Sequence, residues 1–195
     1  MMRPYSKQAL TVSALFILTG CAAFGVPYTS DPGKKLRDAY MLMDDQCRPL
    51  AAERLIGEAL DSYRTNGDEL GMAEAYHTFG NLYKFNCYHT KWEKQLLETT
   101  GTHEKAYERS RENFQKAAEL YEKHKDFMGV SQSYFGIGNV YGIQGDKQRA
   151  CAFYDKSLAI YNEGKAQNPN ARINILTGFR DFPTMIQGFK NENGC

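Results

Sequence analysis

An internal repeat, with copies 58 residues apart, constrains the fold of this chain more than any other feature. The stretches GDELGMAEAYHTFGNLYKF (67–85) and KDFMGVSQSYFGIGNVYGI (125–143) both contain an aspartate, a glycine three residues later, and then Gly-Asn-x-Tyr. The equivalent pairs are Gly80 and Gly138, Asn81 and Asn139, and Tyr83 and Tyr141. Because aspartate favours the N-cap position, Asp68 and Asp126 are predicted to begin the same kind of helix twice.

Each copy is followed by a second stretch with helical periodicity, at 105–125 and 146–164. Small and aromatic residues share one face of each predicted helix: Ser110, Phe114, Ala117 and Tyr121 in the first, and Ala150, Tyr154, Ser157, Leu158 and Tyr161 in the second. Gly145 is suited to end the preceding helix in a left-handed conformation, and Asp146 to cap the next. The unit that repeats is therefore a pair of helices.

This pattern resembles the tetratricopeptide repeat (TPR), a family in which small residues lie where two helices approach closely and aromatic residues fill the adjacent space. The matching residues are Tyr76, Phe79, Gly80 and Tyr83 in one copy, and Tyr134, Ile137, Gly138, Tyr141, Ala150, Tyr154 and Ser157 in the next. The resemblance covers residues 34–165. It implies an all-α fold, a TPR-type solenoid of antiparallel helix pairs with about three repeats, at 34–66, 68–124 and 126–164. The first copy is the weakest, because Tyr40 stands where the family has glycine.

Two segments depart from the repeat. The middle copy carries an insertion at about 88–105, for which we expect a short helix at 91–98. The tail at 166–195 contains enough apolar residues to cover the open end of a solenoid, so we expect one or two capping helices there.

The N-terminus has the composition of an export signal. Arg3 and Lys7 precede about ten mostly apolar residues, which as a helix would span roughly half of a bilayer core. The segment is thus too short for a lasting membrane span and has the basic head and short apolar run of a secretory signal. A buried N-terminal helix is the alternative.

Leu18-Thr19-Gly20-Cys21 follows this apolar run and resembles the lipobox of bacterial lipoproteins. The resemblance implies that residues 1–20 are removed as a signal peptide and that Cys21 carries acyl chains such as palmitate, which anchor the protein to a membrane. Ala22, rather than aspartate, implies the outer membrane, with the protein facing the periplasm. Residues 21–33 then form the lipidated cysteine and a flexible tether.

Four further cysteines are candidates for disulfides, which an exported location permits. In the repeat register, Cys47 and Cys87 both stand at the end of a first helix, so one candidate pairing is Cys47 with Cys87 and Cys151 with Cys195. The second bridge would tie the tail to the last repeat. Free buried thiols are the alternative.

The sequence offers little sign of catalysis or of a cofactor. It contains no nucleophile-elbow, zinc-protease or phosphate-loop motif, and its histidines and cysteines lack zinc-site spacing. We therefore expect no enzymatic activity, no catalytic residues, no cofactor and no metal. A net charge of +1, which becomes −1 after loss of Arg3 and Lys7 with the signal (22 basic against 23 acidic residues), also argues against nucleic acid as a partner.

The TPR resemblance implies a concave face, built from the first helices of each pair, that binds a protein or peptide. The candidate partner-binding residues are His77, Asn81, Lys84, Gln132, Phe135 and Asn139. The two asparagines could pair with a peptide backbone, because an amide both donates and accepts, or could bond neighbouring helix ends instead.

These features favour a membrane-anchored scaffold or adaptor for envelope proteins. The alternatives are a pilotin-like assembly factor for a pilus or secretion pore, and a cell-wall enzyme or enzyme subunit. A solenoid this short leaves dimerisation through the tail open.

Overall fold

The computed structural model describes residues 28–84 and 103–195, which form seven α-helices and no strand. The helices are α1 (Pro32–Asp44), α2 (Pro49–Asn66), α3 (Glu69–Lys84), α4 (His103–Lys123), α5 (Phe127–Ile143), α6 (Lys147–Gln167) and α7 (Phe182–Asn193). The all-α expectation is confirmed for these residues. Each helix from α1 to α6 packs on the next one along the chain, except across the undescribed residues, where α3 packs on α4.

Aspartate side chains cap the helices where the sequence predicts it. The carboxylates of Asp68, Asp126 and Asp146 each accept a hydrogen bond from the backbone N–H three residues later, at 2.9–3.0 Å. Asp31 caps α1 directly before Pro32, so the helix takes over the last two residues of the expected tether. Gly145 has the left-handed conformation, with φ of 78°, that ends α5.

The α3–α4 and α5–α6 pairs are joined by the same close approach. A Cβ atom added at Gly80 would lie 2.7 Å from ring carbons of Phe114, and one added at Gly138 would lie 2.7 Å from the ring of Tyr154. Both rings are almost fully buried. Glycine at these two positions therefore lets an aromatic ring of the second helix lie directly on the backbone of the first.

Successive pairs also meet in a repeated way. A Cβ atom at Gly71 of α3 would fall 2.2 Å from the ring of Tyr63 in α2, and one at Gly129 of α5 would fall 2.5 Å from the ring of Tyr121 in α4. These contacts lie 58 residues apart in both helices, like the sequence repeat. The first helices α1, α3 and α5 touch one another in turn.

Cationic side chains of the second helices lie over tyrosine rings of the first helices, twice in each pair. The contacts are Lys116 over Tyr76 and Arg109 over Tyr83 in α3–α4, and Lys156 over Tyr134 and Arg149 over Tyr141 in α5–α6. The internal repeat thus extends from the sequence to the side-chain packing.

The C-terminal helix α7 closes the apolar core beside α5 and α6. Its buried residues are Phe182, Met185 and Ile186, which pack in one cluster with Phe135, Ala150 and Tyr154. Cys151 of α6 and Cys195 form a disulfide with a Cα–Cα distance of 5.7 Å, which is the pair proposed from the sequence. Residues 168–181, between α6 and α7, are not helical.

Several predictions fall outside the described residues. They are the signal peptide at 1–20, lipidation of Cys21, the tether as far as residue 27, the helix at 91–98 and Cys87 with its pairing to Cys47. Within residues 28–84 and 103–195, no helix is both long and apolar enough to cross a membrane.

Candidate functional site

The six side chains proposed to bind a partner lie around one concave cavity of about 420 Å³, here called the groove. His77, Asn81 and Lys84 come from α3, and Gln132, Phe135 and Asn139 come from α5. They recur at three- to four-residue spacing, so each set faces the same side of its helix. The structure thus brings together residues that are up to 62 positions apart in the sequence.

The two equivalent asparagines of the groove are held differently. Asn81 Nδ2 donates to the hydroxyl of Tyr40 at 3.0 Å and lies 3.3 Å from His77 Nδ1. Asn139 Oδ1 instead accepts a hydrogen bond from the hydroxyl of Tyr154 at 2.9 Å. Tyr40 occupies the place where the family has glycine, so this departure gives Asn81 its partner.

The amide nitrogen of Asn139 has no hydrogen-bond partner among the described residues, although Asn139 is only 9% exposed. A buried donor without a partner costs about 1–3 kcal/mol. Asn139 also lines the groove, so a ligand there could supply the missing acceptor. Of the two asparagines, Asn139 is therefore the one with a donor left to offer.

His77 and Lys84 are half-buried in the groove, and both are shifted towards their neutral forms. Burial, with a smaller contribution from the charge of Lys84, lowers the pKa of His77 to about 4. Burial also lowers the pKa of Lys84 to about 8, although nearby Asp44 opposes the shift. Near neutral pH, His77 is thus uncharged and packs edge-on against Phe114 with 5.2 Å between ring centroids.

Two carboxylates at the rim of the groove also lack partners. Neither Asp44 nor Glu74 has a basic nitrogen within 4.0 Å among the described residues. Loss of hydration in the groove is the main cause that raises the pKa of each carboxyl group. A negative charge at either position would be better stabilised if a cation were bound beside it.

The opposite wall of the groove is apolar and includes the tail. Phe135 of α5 and Phe182 and Met185 of α7 are buried there, while Ile175 and Leu176 are 40% and 52% exposed. The sequence analysis did not include these tail residues in the site, because 168–181 has no periodic pattern to show where it runs. Their apolar character was the one available signal.

Gln132 joins the two walls through a main-chain contact. Its Nε2 donates to the carbonyl oxygen of Asn174 in the tail, at 3.4 Å. The groove therefore already holds a non-helical piece of backbone at one end.

No group of three or more histidine, cysteine, aspartate or glutamate side chains within the described ranges is arranged to hold a metal ion. The arrangement offers hydrogen-bonding amides, charged groups and an apolar wall, which together suit recognition of a peptide.

Comparison with known proteins adds no relative to this picture. No protein-family model matches the chain, and searches of the curated proteins and of the solved structures gave no match either. The functional argument therefore depends on the sequence motifs and on the geometry of the groove.

Proposed function

We propose that this protein is a TPR-type lipoprotein, anchored in the outer membrane through Cys21, that acts as a non-enzymatic scaffold for envelope proteins. Its groove binds an extended segment of a partner protein on the periplasmic side. The lipobox-like Leu18-Thr19-Gly20-Cys21 supports the anchor, and the paired helices support the TPR assignment.

The observation that carries the proposal is the convergence of six side chains from two equivalent helices on one groove. The side chains come from corresponding positions of the repeat, since residues 77 and 135 and residues 81 and 139 lie 58 apart. Repeated helix pairs generally use such continuous concave surfaces for binding. Amide side chains in the groove can bond a peptide main chain without requiring a particular side chain.

The disulfide between Cys151 and Cys195 supports a location outside the cytoplasm, because disulfides persist in oxidising compartments. It also keeps the end of the chain on α6, so that α7 stays in place as the end wall of the groove.

Site-specific photo-crosslinking in intact envelopes tests the scaffold function. A photoreactive amino acid in place of Gln132, which lines the groove, should give a discrete protein adduct. The same amino acid in place of Glu119, which is exposed on α4 and lies outside the groove, is the matched control. Adducts from position 119 alone, or none from position 132 in a folded protein, would contradict the proposal.

The anchor has a separate test. A Cys21→Ser variant should move from the membrane fraction to the soluble fraction and should keep its uncleaved N-terminus. If the variant still sediments with membranes, attachment through Cys21 is wrong, whatever the groove binds.

A further inference from the structure

The two walls of the groove differ in charge although they come from equivalent positions of the repeat. On α3 these positions hold Glu74, His77 and Lys84, and on α5 they hold Gln132, Phe135 and Gly142. Asn81 and Asn139 are the position that both helices share. One wall is therefore ionisable, and the other is uncharged and largely apolar.

Glu74 lies among aromatic rings as well as facing the groove. Its negative charge raises the pKa of the hydroxyls of Tyr40, Tyr63 and Tyr121, which shows that all three lie near it. Tyr40 and Tyr121 line the groove with it. A carboxylate beside tyrosine rings suits a basic side chain, which gains both an ion pair and contact with the ring faces.

This position has no basic partner of its own. Among the described residues no lysine, arginine or histidine nitrogen comes within 4.0 Å of the Glu74 carboxylate. Arg37 acts on Glu74 at longer range, but its guanidinium pairs with Asp31 at 3.5 Å and is 70% exposed in its side chain. The negative charge of Glu74 is thus left for a ligand.

The uncharged wall provides the rest of the recognition surface. The unpaired amide nitrogen of Asn139, in a side chain that is 91% buried, can donate to a main-chain carbonyl. Gln132 makes a contact of this kind with Asn174. Between them, Phe135 and the exposed Leu176 offer an apolar surface.

The length of the groove limits the ligand. Glu74 and Lys84 are ten residues apart on one helix, or roughly 15 Å. An extended chain covers this distance with about five residues. A basic and an apolar side chain of one short segment can therefore reach both walls together.

We propose that the groove binds an extended peptide that presents a lysine or arginine to Glu74, Tyr40 and Tyr121 and an apolar side chain to the wall formed by Phe135 and Leu176. The inference rests on the proposed function, since it specifies the chemistry of the peptide that the groove takes. An acidic segment would meet an uncompensated carboxylate and bind more weakly.

The test uses the full-length chain in detergent and fluorescent, end-blocked heptapeptides in a Gly/Ser background. One set carries a lysine and a leucine separated by one to four residues, and the second set has glutamate in place of the lysine. Fluorescence anisotropy measures the two dissociation constants. We expect the lysine set to bind about tenfold more tightly at low salt, because the swap removes one attraction and adds one repulsion.

Variants at position 74 decide whether the preference comes from the groove. Glu74→Gln should abolish the preference, and Glu74→Lys should reverse it. Glu119→Lys changes charge equally on an exposed face outside the groove and should leave the preference as it is. Circular dichroism of each variant confirms that it is folded, and Glu74→Gln, which keeps the shape of the side chain, provides the test if Glu74→Lys does not fold.

The outcomes separate this inference from the proposed function. Binding without a charge preference, a preference for glutamate, or a preference that survives Glu74→Gln would overturn the inference while leaving the groove as a peptide site. Failure of both sets to bind at millimolar concentration would overturn the peptide-binding groove as well.

Discussion

The α3–α4 and α5–α6 pairs share their packing but differ in the surface that they present to the groove. In both, a glycine receives an aromatic ring of the second helix, through Gly80 and Phe114 in one pair and Gly138 and Tyr154 in the other. In α3–α4 the serine Ser110 bonds the carbonyl of Gly80, whereas in α5–α6 two serines bond each other's carbonyls. The groove-facing positions have exchanged charged residues for uncharged ones.

The comparison separates what the fold requires from what binding can vary. Positions that touch the neighbouring helix keep a small residue or a ring, since a change there displaces a helix. Positions that face the groove change freely, since their side chains end in open space. The experiments that follow test this division, starting with the largest expected effect.

The cap on the α5–α6 pair gives the largest expected effect. Replacing Cys151 and Cys195 together by serine removes a bridge that closes a chain segment with a separation of 44 residues. The chain-entropy treatment of such a loop predicts a loss of about 4 kcal/mol in the free energy of unfolding. Urea unfolding of both proteins under oxidising conditions measures it. An unchanged midpoint would show that apolar packing alone holds α7.

Enlarging the two equivalent glycines tests the shared packing. Gly80→Ala and Gly138→Ala each push a Cβ atom into a buried ring and should cost about 1–3 kcal/mol. Gly80→Ala should cost more, because the Phe114 ring is also held against Gly136 and has less room to move.

Gly57→Ala in α2 is the control for the glycine changes, since a Cβ atom there meets no atom within 4 Å. It should stabilise the protein by up to about 1 kcal/mol through helix propensity. Equal effects at positions 57, 80 and 138 in thermal unfolding would contradict the packing argument.

The charged wall predicts a pH dependence that the uncharged wall lacks. The pKa of His77 in the folded protein is about 4, against about 6.5 when unfolded. The unfolded state therefore binds a proton first, so the stabilising effect of neutral His77 is full above pH 6.5 and is lost as the pH falls towards 4. With allowance for the partial exposure of His77, the loss should be about 1.5 kcal/mol.

Urea unfolding at pH 7.5 and pH 4.5 measures this effect in the wild type and in His77→Gln. The other carboxyl groups titrate in both proteins, so the difference between the two pH slopes isolates residue 77. The variant should lose less stability on acidification. Identical slopes would mean that His77 is as accessible to protons when folded as when unfolded.

The smallest expected difference lies between the tyrosine partners of the two asparagines. Tyr154→Phe leaves the buried amide of Asn139 without its donor and should cost about 1 kcal/mol. Tyr40→Phe should cost about half as much, because the half-buried Asn81 keeps His77 as a neighbour. Thermal unfolding orders the two variants, and the opposite order would contradict the roles given to these side chains.

The sequence predicted the local features of this fold well. The caps at Asp31, Asp126 and Asp146 and the left-handed Gly145 depend on nearby backbone geometry, so single residues identify them. The six groove residues followed from the register of the repeat. Each of these predictions uses interactions within a few residues or a known spacing.

The features that were missed depend on distant contacts. Nothing in residues 168–181 shows that Asn174 reaches Gln132, because that contact forms only after α7 has packed. Tyr40 looked like a flaw in the first repeat until its hydroxyl was found beside Asn81. The lowered pKa of His77 likewise arises from burial between helices, which helical periodicity does not report.

The Phe114 ring, which contacts Gly80 on one side and Gly136 on the other, bears on how such a chain could grow. One side chain of α4 requires an open backbone position in the pair before it and in the pair after it. A gene duplication that inserted another helix pair after α4 would have to supply a glycine at the position of Gly136 as well as the usual one. The repeats of this protein are therefore interlocked rather than freely interchangeable, and a cut between residues 123 and 127 would leave neither fragment with a complete interface.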